Sequence, residues 1–131
     1  LIVSLVCSKR ISTIFQLAHV VSGVAHPVED DISKMEWFRH QVETTADFST
    51  KRNWVSRWIS WWVGGLNFQI EHHLFPRISH IHYPIIHKII KPICGKWGVV
   101  FIEYPTYSLA VAAHTEDLRR LSKKPIVVQL Y

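Results

Sequence analysis

At 131 residues the chain is one domain's worth at most. Its 15 Lys and Arg against 10 Asp and Glu give a formal net charge of +5, but the cations stand singly or in pairs (Lys9-Arg10, Lys51-Arg52, Arg119-Arg120, Lys123-Lys124), so a nucleic-acid partner is disfavoured and an anionic membrane surface is the stronger reading. Two cysteines, Cys7 and Cys94, make no disulfide framework, and free thiols in a reducing compartment are expected.

The chain opens on Leu1 rather than Met, which suggests a processed chain or a piece of a longer one, and no signal-peptide pattern follows. Residues 1–8 are apolar, Lys9 and Arg10 interrupt, and residues 11–25 resume. Neither piece alone reaches the roughly 18 uninterrupted apolar residues of a membrane span. Together they suggest the end of a spanning helix that continues past the surface, with Lys9 and Arg10 at its cytoplasmic side. His19 lies in the second piece. Taken alone it reads more readily as a packed histidine than as a metal ligand.

Pro27 stops that helix. Residues 27–53 carry ten charged side chains, from Glu29 to Arg52, and read as a water-exposed segment with a short helix near 31–42, capped by Asp30 or Ser33. Within it Trp37, Gln41, Thr44 and Thr45 have no feature beyond a solvated helix with one packing aromatic. Trp54, Trp58, Trp61 and Trp62 then stand at i, i+4, i+7 and i+8, one stripe of a helix, with Ser56, Arg57 and Ser60 on the other side. Tryptophan favours the headgroup level of a bilayer, so an interfacial helix is expected; a stripe packed into a soluble core is the alternative. Gly64-Gly65 permits a bend.

Residues 66–75 (LNFQIEHHLF) read as a short helix ended by Pro76. Gln69 shares a face with His72 and His73. The two histidines differ in direction by about 100°, so they can reach one metal from two angles or two neighbouring metals. Glu71 points elsewhere and is a candidate to orient a ligand imidazole from behind. His80, His82 and His87 follow in a Pro-interrupted stretch without ligand spacing and read as surface or interface histidines. Residues 84–94 predict a helix opened by Pro84, 98–105 a short strand or extended arm, and 106–122 a helix.

Nine histidines exceed what packing requires in a chain this size. Zinc hydrolysis is not supported: HExxH is absent, the inverted HxxEH pattern would need His where Phe68 stands, and the cysteines are isolated. What remains is a His-rich redox metal site.

QIEHHLFP, together with the Trp stripe, GGLN, the earlier FQLAH and HQVETTADFS at 40–49, resembles the third histidine box of membrane-bound fatty acid desaturases. It is most similar to the front-end branch, in which that box begins with Gln. The resemblance covers nearly the whole chain. It implies a mainly α, membrane-associated helical fold, incomplete here and forming the C-terminal part of one desaturase domain. Residues 1–26 would be the end of a transmembrane helix and its extension, 27–53 a cytosolic segment, 54–76 the interfacial helix and box, and 77–131 a cytosolic C-terminal region.

The resemblance further implies a non-haem di-iron centre with His72 and His73 as ligands and His19 as a third. Gln69 would stand where related enzymes have a ligand His, as a weak ligand or a group behind one. The first two boxes, HxxxH and HxxHH, are not in these residues, so the chain alone should not hold both irons or be active. Implied partners are cytochrome b5 and its reductase as electron source, membrane lipid, and an acyl-lipid or acyl-CoA substrate. The implied location is the endoplasmic reticulum membrane with the metal site facing the cytosol. The expected reaction is O2-dependent desaturation between an existing double bond and the carboxyl end of a polyunsaturated chain, of the delta-5 or delta-6 type. A sphingoid-base desaturase or di-iron hydroxylase is the alternative within the class, and a non-catalytic membrane-interface module the alternative outside it.

Overall fold

The computed structural model describes residues 2–25 and 36–123. Helix α1 spans Ile2–His19 and α2 Trp37–Glu43. A three-residue strand β1 (Ala46–Phe48) leads to α3 (Trp54–Trp62) and α4 (Gln69–Leu74). A 3-10 turn (His80–His82) enters α5 (Tyr83–Lys96), then come β2 (Ile102–Tyr104) and α6 (Tyr107–Ser122). The expected mainly helical architecture is observed. The predicted caps Asp30 and Ser33 and the C-terminal tail lie outside the described residues.

Local chemistry sets the element ends. Asn53 accepts a hydrogen bond from the Ser56 N–H at 2.8 Å and starts α3. Pro84 sits in the first turn of α5, where its missing N–H costs nothing. Thr106 caps α6 through the Leu109 N–H at 3.3 Å.

One apolar core joins α2, α4 and α5 through Val42, Ile70, Leu74, Ile90, Cys94 and Val99. A second joins α1, β1 and α6 through Leu17, Phe48 and Ala110, and a third gathers Val21, Val24 and Ala46 against Ile102. The two strands pair in parallel, with Asp47 opposite Glu103 and Phe48 opposite Tyr104. The short strand or arm expected at 98–105 is β2. Its partner β1 falls in the segment expected to be water-exposed, and there the structure differs: residues 45–49 are all buried. A buried carboxylate is tolerated only where its oxygens have partners. Asp47 Oδ1 accepts the Ile70 N–H at 2.9 Å, at the start of α4 where that N–H has no partner within the helix.

The Trp stripe of α3 faces outward. Trp54 is 80% and Trp61 75% exposed, while Ser56 turns inward and donates no side chain to solvent, lying 3.1 Å from Ser49 Oγ. A stripe packed into a core is therefore not what α3 forms. The guanidinium of Arg10 lies over the Trp62 ring at 5.2 Å and ties α1 to this face. Along α1 the outward residues Ile2, Val3, Leu5, Val6, Ile11 and Phe15 are exposed, and burial begins at Ile14. No described helix is long and apolar enough to cross a membrane.

Candidate metal centre

Helix α4 is a single turn and a half, and its two ends are held differently. At its start Asp47 takes the Ile70 N–H, and Gln69, Ile70 and Glu71 are buried. Near its end His72 and His73 are half-buried; His73 turns toward α1 and α2, and His72 toward Tyr83 at the start of α5.

The structure brings His19 to His73. Their ring centroids are 5.2 Å apart, although 54 positions separate them in the chain. The His72 and His73 centroids are 6.2 Å apart with the rings nearly perpendicular. Each of the three imidazoles has its Nδ1 against an outer group. His73 Nδ1 lies 2.8 Å from Gln41 Oε1, His19 Nδ1 lies 3.4 Å from the Thr44 carbonyl, and His72 Nδ1 lies 3.3 Å from the Tyr83 hydroxyl. A carbonyl oxygen only accepts, so His19 and His73 donate from Nδ1, which leaves Nε2 as the lone-pair nitrogen. Burial, then the neighbouring imidazoles of His19, His72 and His40, hold the His73 imidazole down to about 4. It is neutral at pH 7 and able to ligate.

Two buried polar atoms here lack partners among the described residues, Gln69 Oε1 and His40 Nδ1. A buried acceptor left without a partner costs about 1–3 kcal/mol unless something else satisfies it. Imidazoles with Nδ1 engaged by outer groups, no carboxylate hydrogen-bonded to them among the described residues and an unsatisfied amide oxygen on the same helix face form a donor set suited to a borderline transition metal such as iron. These residues fit such a metal.

Gln41, Thr44, His40 and Tyr83 are the site residues that sequence reasoning misses. The first three sit on or beside α2, in the stretch read as a featureless solvated helix. The one available signal is the polar run HQVETT beside a histidine. Glu71 does not hydrogen-bond His72 or His73, so orienting a ligand imidazole falls to Gln41, Thr44 and Tyr83 instead.

Glu71 turns toward His87, which is also not the surface histidine expected. His87 Nδ1 lies 3.1 Å from Glu71 Oε1 and 3.0 Å from Asp47 Oδ2, and its Nε2 is 2.8 Å from Glu103 Oε2. Its side chain is only 13% exposed, packed edge-on to Phe68 and Phe101. Burial disfavours its charged form, but the Asp47 and Glu71 carboxylates outweigh this and push the imidazole up to about 10. His80 and His82 are exposed, as expected.

Comparison with known proteins gives a consistent family. The profile described as fatty acid desaturase matches residues 1–105. The chain is 42% identical over 118 residues to the acyl-lipid (8-3)-desaturase of Physcomitrium patens, covering 89% of this chain and 24% of that protein. It is 41% identical over 116 residues to the sn-1 linoleoyl-lipid 6-desaturase of Synechocystis sp., covering 86% of this chain and 31% of that protein. With the acyl-lipid (8-3)-desaturase of Mortierella alpina it shares 38% over 127 residues, 95% of this chain and 27% of that one. The chain thus spans about a quarter to a third of the length of these relatives. No solved structure gives a significant match.

Proposed function

Since the chain belongs to the fatty acid desaturase family, we propose that it is the C-terminal part of a front-end acyl-lipid desaturase and supplies one share of a di-iron site. The ligands are His19, His72 and His73, with Gln69 as a weak ligand or a group behind one. The observation that carries this reading is the shared hydrogen-bonding pattern of the imidazoles: three rings from two helices, each with Nδ1 engaged by an outer group.

When bound, the irons supply O2-dependent oxidation, which removal of hydrogen from an unactivated methylene requires. The work of this chain is positioning. Gln41 and Thr44 fix the tautomers of His73 and His19, so that Nε2 is presented without a rotation or a proton shift. The Asp47 contact to the Ile70 N–H anchors the start of α4, and the Val42, Ile70 and Leu74 contacts fix its rotation about its own axis. The exposed Trp face of α3 carries the chain at the headgroup level of a bilayer, where an acyl chain enters.

Names of the relatives favour an acyl-lipid substrate over an acyl-CoA: the Synechocystis protein is a linoleoyl-lipid desaturase and the Physcomitrium protein an acyl-lipid desaturase. The new double bond is of the delta-5 or delta-6 type, between an existing double bond and the carboxyl end. Electrons come from cytochrome b5 and its reductase, and the site faces the cytosol at the endoplasmic reticulum membrane.

The test is expression of the full-length protein in a host fed polyunsaturated acyl chains, with lipid products separated by carrier. The new double bond should appear in the wild type and be absent with His72→Ala or His73→Ala. Product formation by either variant would refute the ligand assignment, and hydroxylated product or a desaturated sphingoid base would redirect the reaction type.

A further inference from the structure

The carboxylates around His87 are gathered from separate parts of the chain. Asp47 and Glu103 are register partners on β1 and β2, Glu71 is on α4, and His87 on α5. Asp47 and Glu71 are both 0% exposed. The cluster faces away from the imidazole centre: Glu71 and His73 are two residues apart on α4, about 200° around its axis.

Formal charge does not balance with protein groups alone. Three carboxylates, Asp47, Glu71 and Glu103, meet two basic groups, His87 and Lys91, the latter 2.6 Å from Glu103 Oε1. With all three ionised, one negative charge is left over in a region where two of the carboxylates see no water, so without a cation the buried Asp47 and Glu71 pair must keep a proton. An uncompensated buried charge costs several kcal/mol. A divalent cation in place of the His87 proton removes the excess, because that cation and Lys91 together match the three carboxylates.

Two further observations point to a ligand. Glu71 is fully buried, and its Oε2 has no hydrogen-bond partner among the described residues. The separations also suit a cation: one ligand atom from each of Asp47, Glu71 and His87 lies within 4.8 Å of the others. His87 Nδ1 stands 3.0 Å from Asp47 Oδ2 and 3.1 Å from Glu71 Oε1. Donors held about 2.1 Å from a small divalent cation at right angles to one another stand about 3 Å apart.

We propose that Asp47, Glu71 and His87 form a separate binding site for one divalent cation of the Mn2+ or Zn2+ type, on the side of α4 away from the His19, His72 and His73 cluster. Two carboxylate oxygens and one imidazole nitrogen are a donor set for such ions. The cation pins β1, α4 and α5 together behind the histidine box. The site is independent of the di-iron reading.

The test uses the full-length protein in detergent, carrying His72→Ala and His73→Ala to disable the imidazole centre, stripped of metal and titrated with Mn2+ by electron paramagnetic resonance. Saturable Mn2+ binding that includes one ion dependent on Asp47 and His87 is expected, together with a rise in melting temperature. Adding Asp47→Asn, which keeps the oxygen that takes the Ile70 N–H, or His87→Gln should remove one saturable Mn2+ per chain. Absence of saturable Mn2+, or equal binding with and without Asp47→Asn and His87→Gln, would overturn the site. If the doubly substituted protein does not fold, the comparison moves to the wild-type background. There Asp47→Asn should bind one Mn2+ fewer, and an unchanged count overturns the proposal.

Discussion

Gln41 Oε1 and His73 Nδ1 are 2.8 Å apart, and this contact joins α2 to the histidine box of α4. The amide oxygen can only accept, so it fixes which nitrogen of His73 carries the proton. An outer partner of this kind sets ring orientation and raises the basicity of the free nitrogen. Gln41→Leu removes the acceptor at similar size, and Gln41→Glu retains it. The leucine variant of the full-length protein should lose iron to a chelator at about 10–100-fold lower concentration than wild type. The glutamate variant should restore most of the retention. Equal retention by leucine and wild type would show that Gln41 does not position His73.

Removing His87 leaves Asp47 and Glu71 buried without their cationic partner. Breaking a buried charge pair by deleting one member costs about 3–5 kcal/mol. His87→Ala should lower the denaturant midpoint accordingly, and more than His82→Ala, which changes an exposed residue. Equal midpoints would mean that the His87 contacts contribute nothing net.

The same network gives a pH dependence in metal-free protein. His87 is pushed up to about 10 in the folded state against an ordinary value of 6.5. Its stabilising contribution is therefore complete below about pH 6.5 and is lost as pH rises through 10. Burial and the neighbouring Glu71 hold the Asp47 carboxyl well above the usual carboxylate range, despite its His87 and Ile70 hydrogen bonds, and this acts in the same direction. With chelator present, the melting temperature should fall between pH 7 and 10, and the fall should be smaller in His87→Ala. A flat profile in the wild type would contradict the network.

Two adjacent glycines differ in what they tolerate. Gly64 and Gly65 have φ of 66° and 78°, so any other residue is strained at either position. A Cβ at Gly65 would meet His80 Cβ at 2.5 Å, whereas one at Gly64 meets nothing within 4 Å. Gly64→Ala should cost about 1–2 kcal/mol from backbone strain alone. Gly65→Ala should cost a further 1–3 kcal/mol or so from overpacking. Thermal unfolding of the two variants checks the order, and a milder effect at Gly65 would contradict the packing of the 3-10 turn against α3's end.

Much of this was legible wherever the signal is local. The QIEHH box, the Trp stripe and the helices at 84–94 and 106–122 follow from spacing within a few residues. The parts that escaped depend on partners far along the chain. Residues 45–49 are rich in hydroxyls and a carboxylate, yet they are buried because Ile70, Asn67 and Tyr104 meet their polar groups. Gln41 and Thr44 look like solvated helix residues until His73 and His19 arrive from 32 and 25 positions away. His87 reads as a surface histidine because its three carboxylates come from three other elements. His19, doubtful by pattern alone, became a candidate through the family resemblance.

The ligand assignment of His19, His72 and His73 is tested most directly by the iron content of the full-length protein, wild type against His19→Ala, His72→Ala and His73→Ala, with folding followed by circular dichroism. Each substitution should lower bound iron per chain while the helical signal is kept. Wild-type iron content in any one of them would remove that residue from the site, and in all three would contradict the proposed centre.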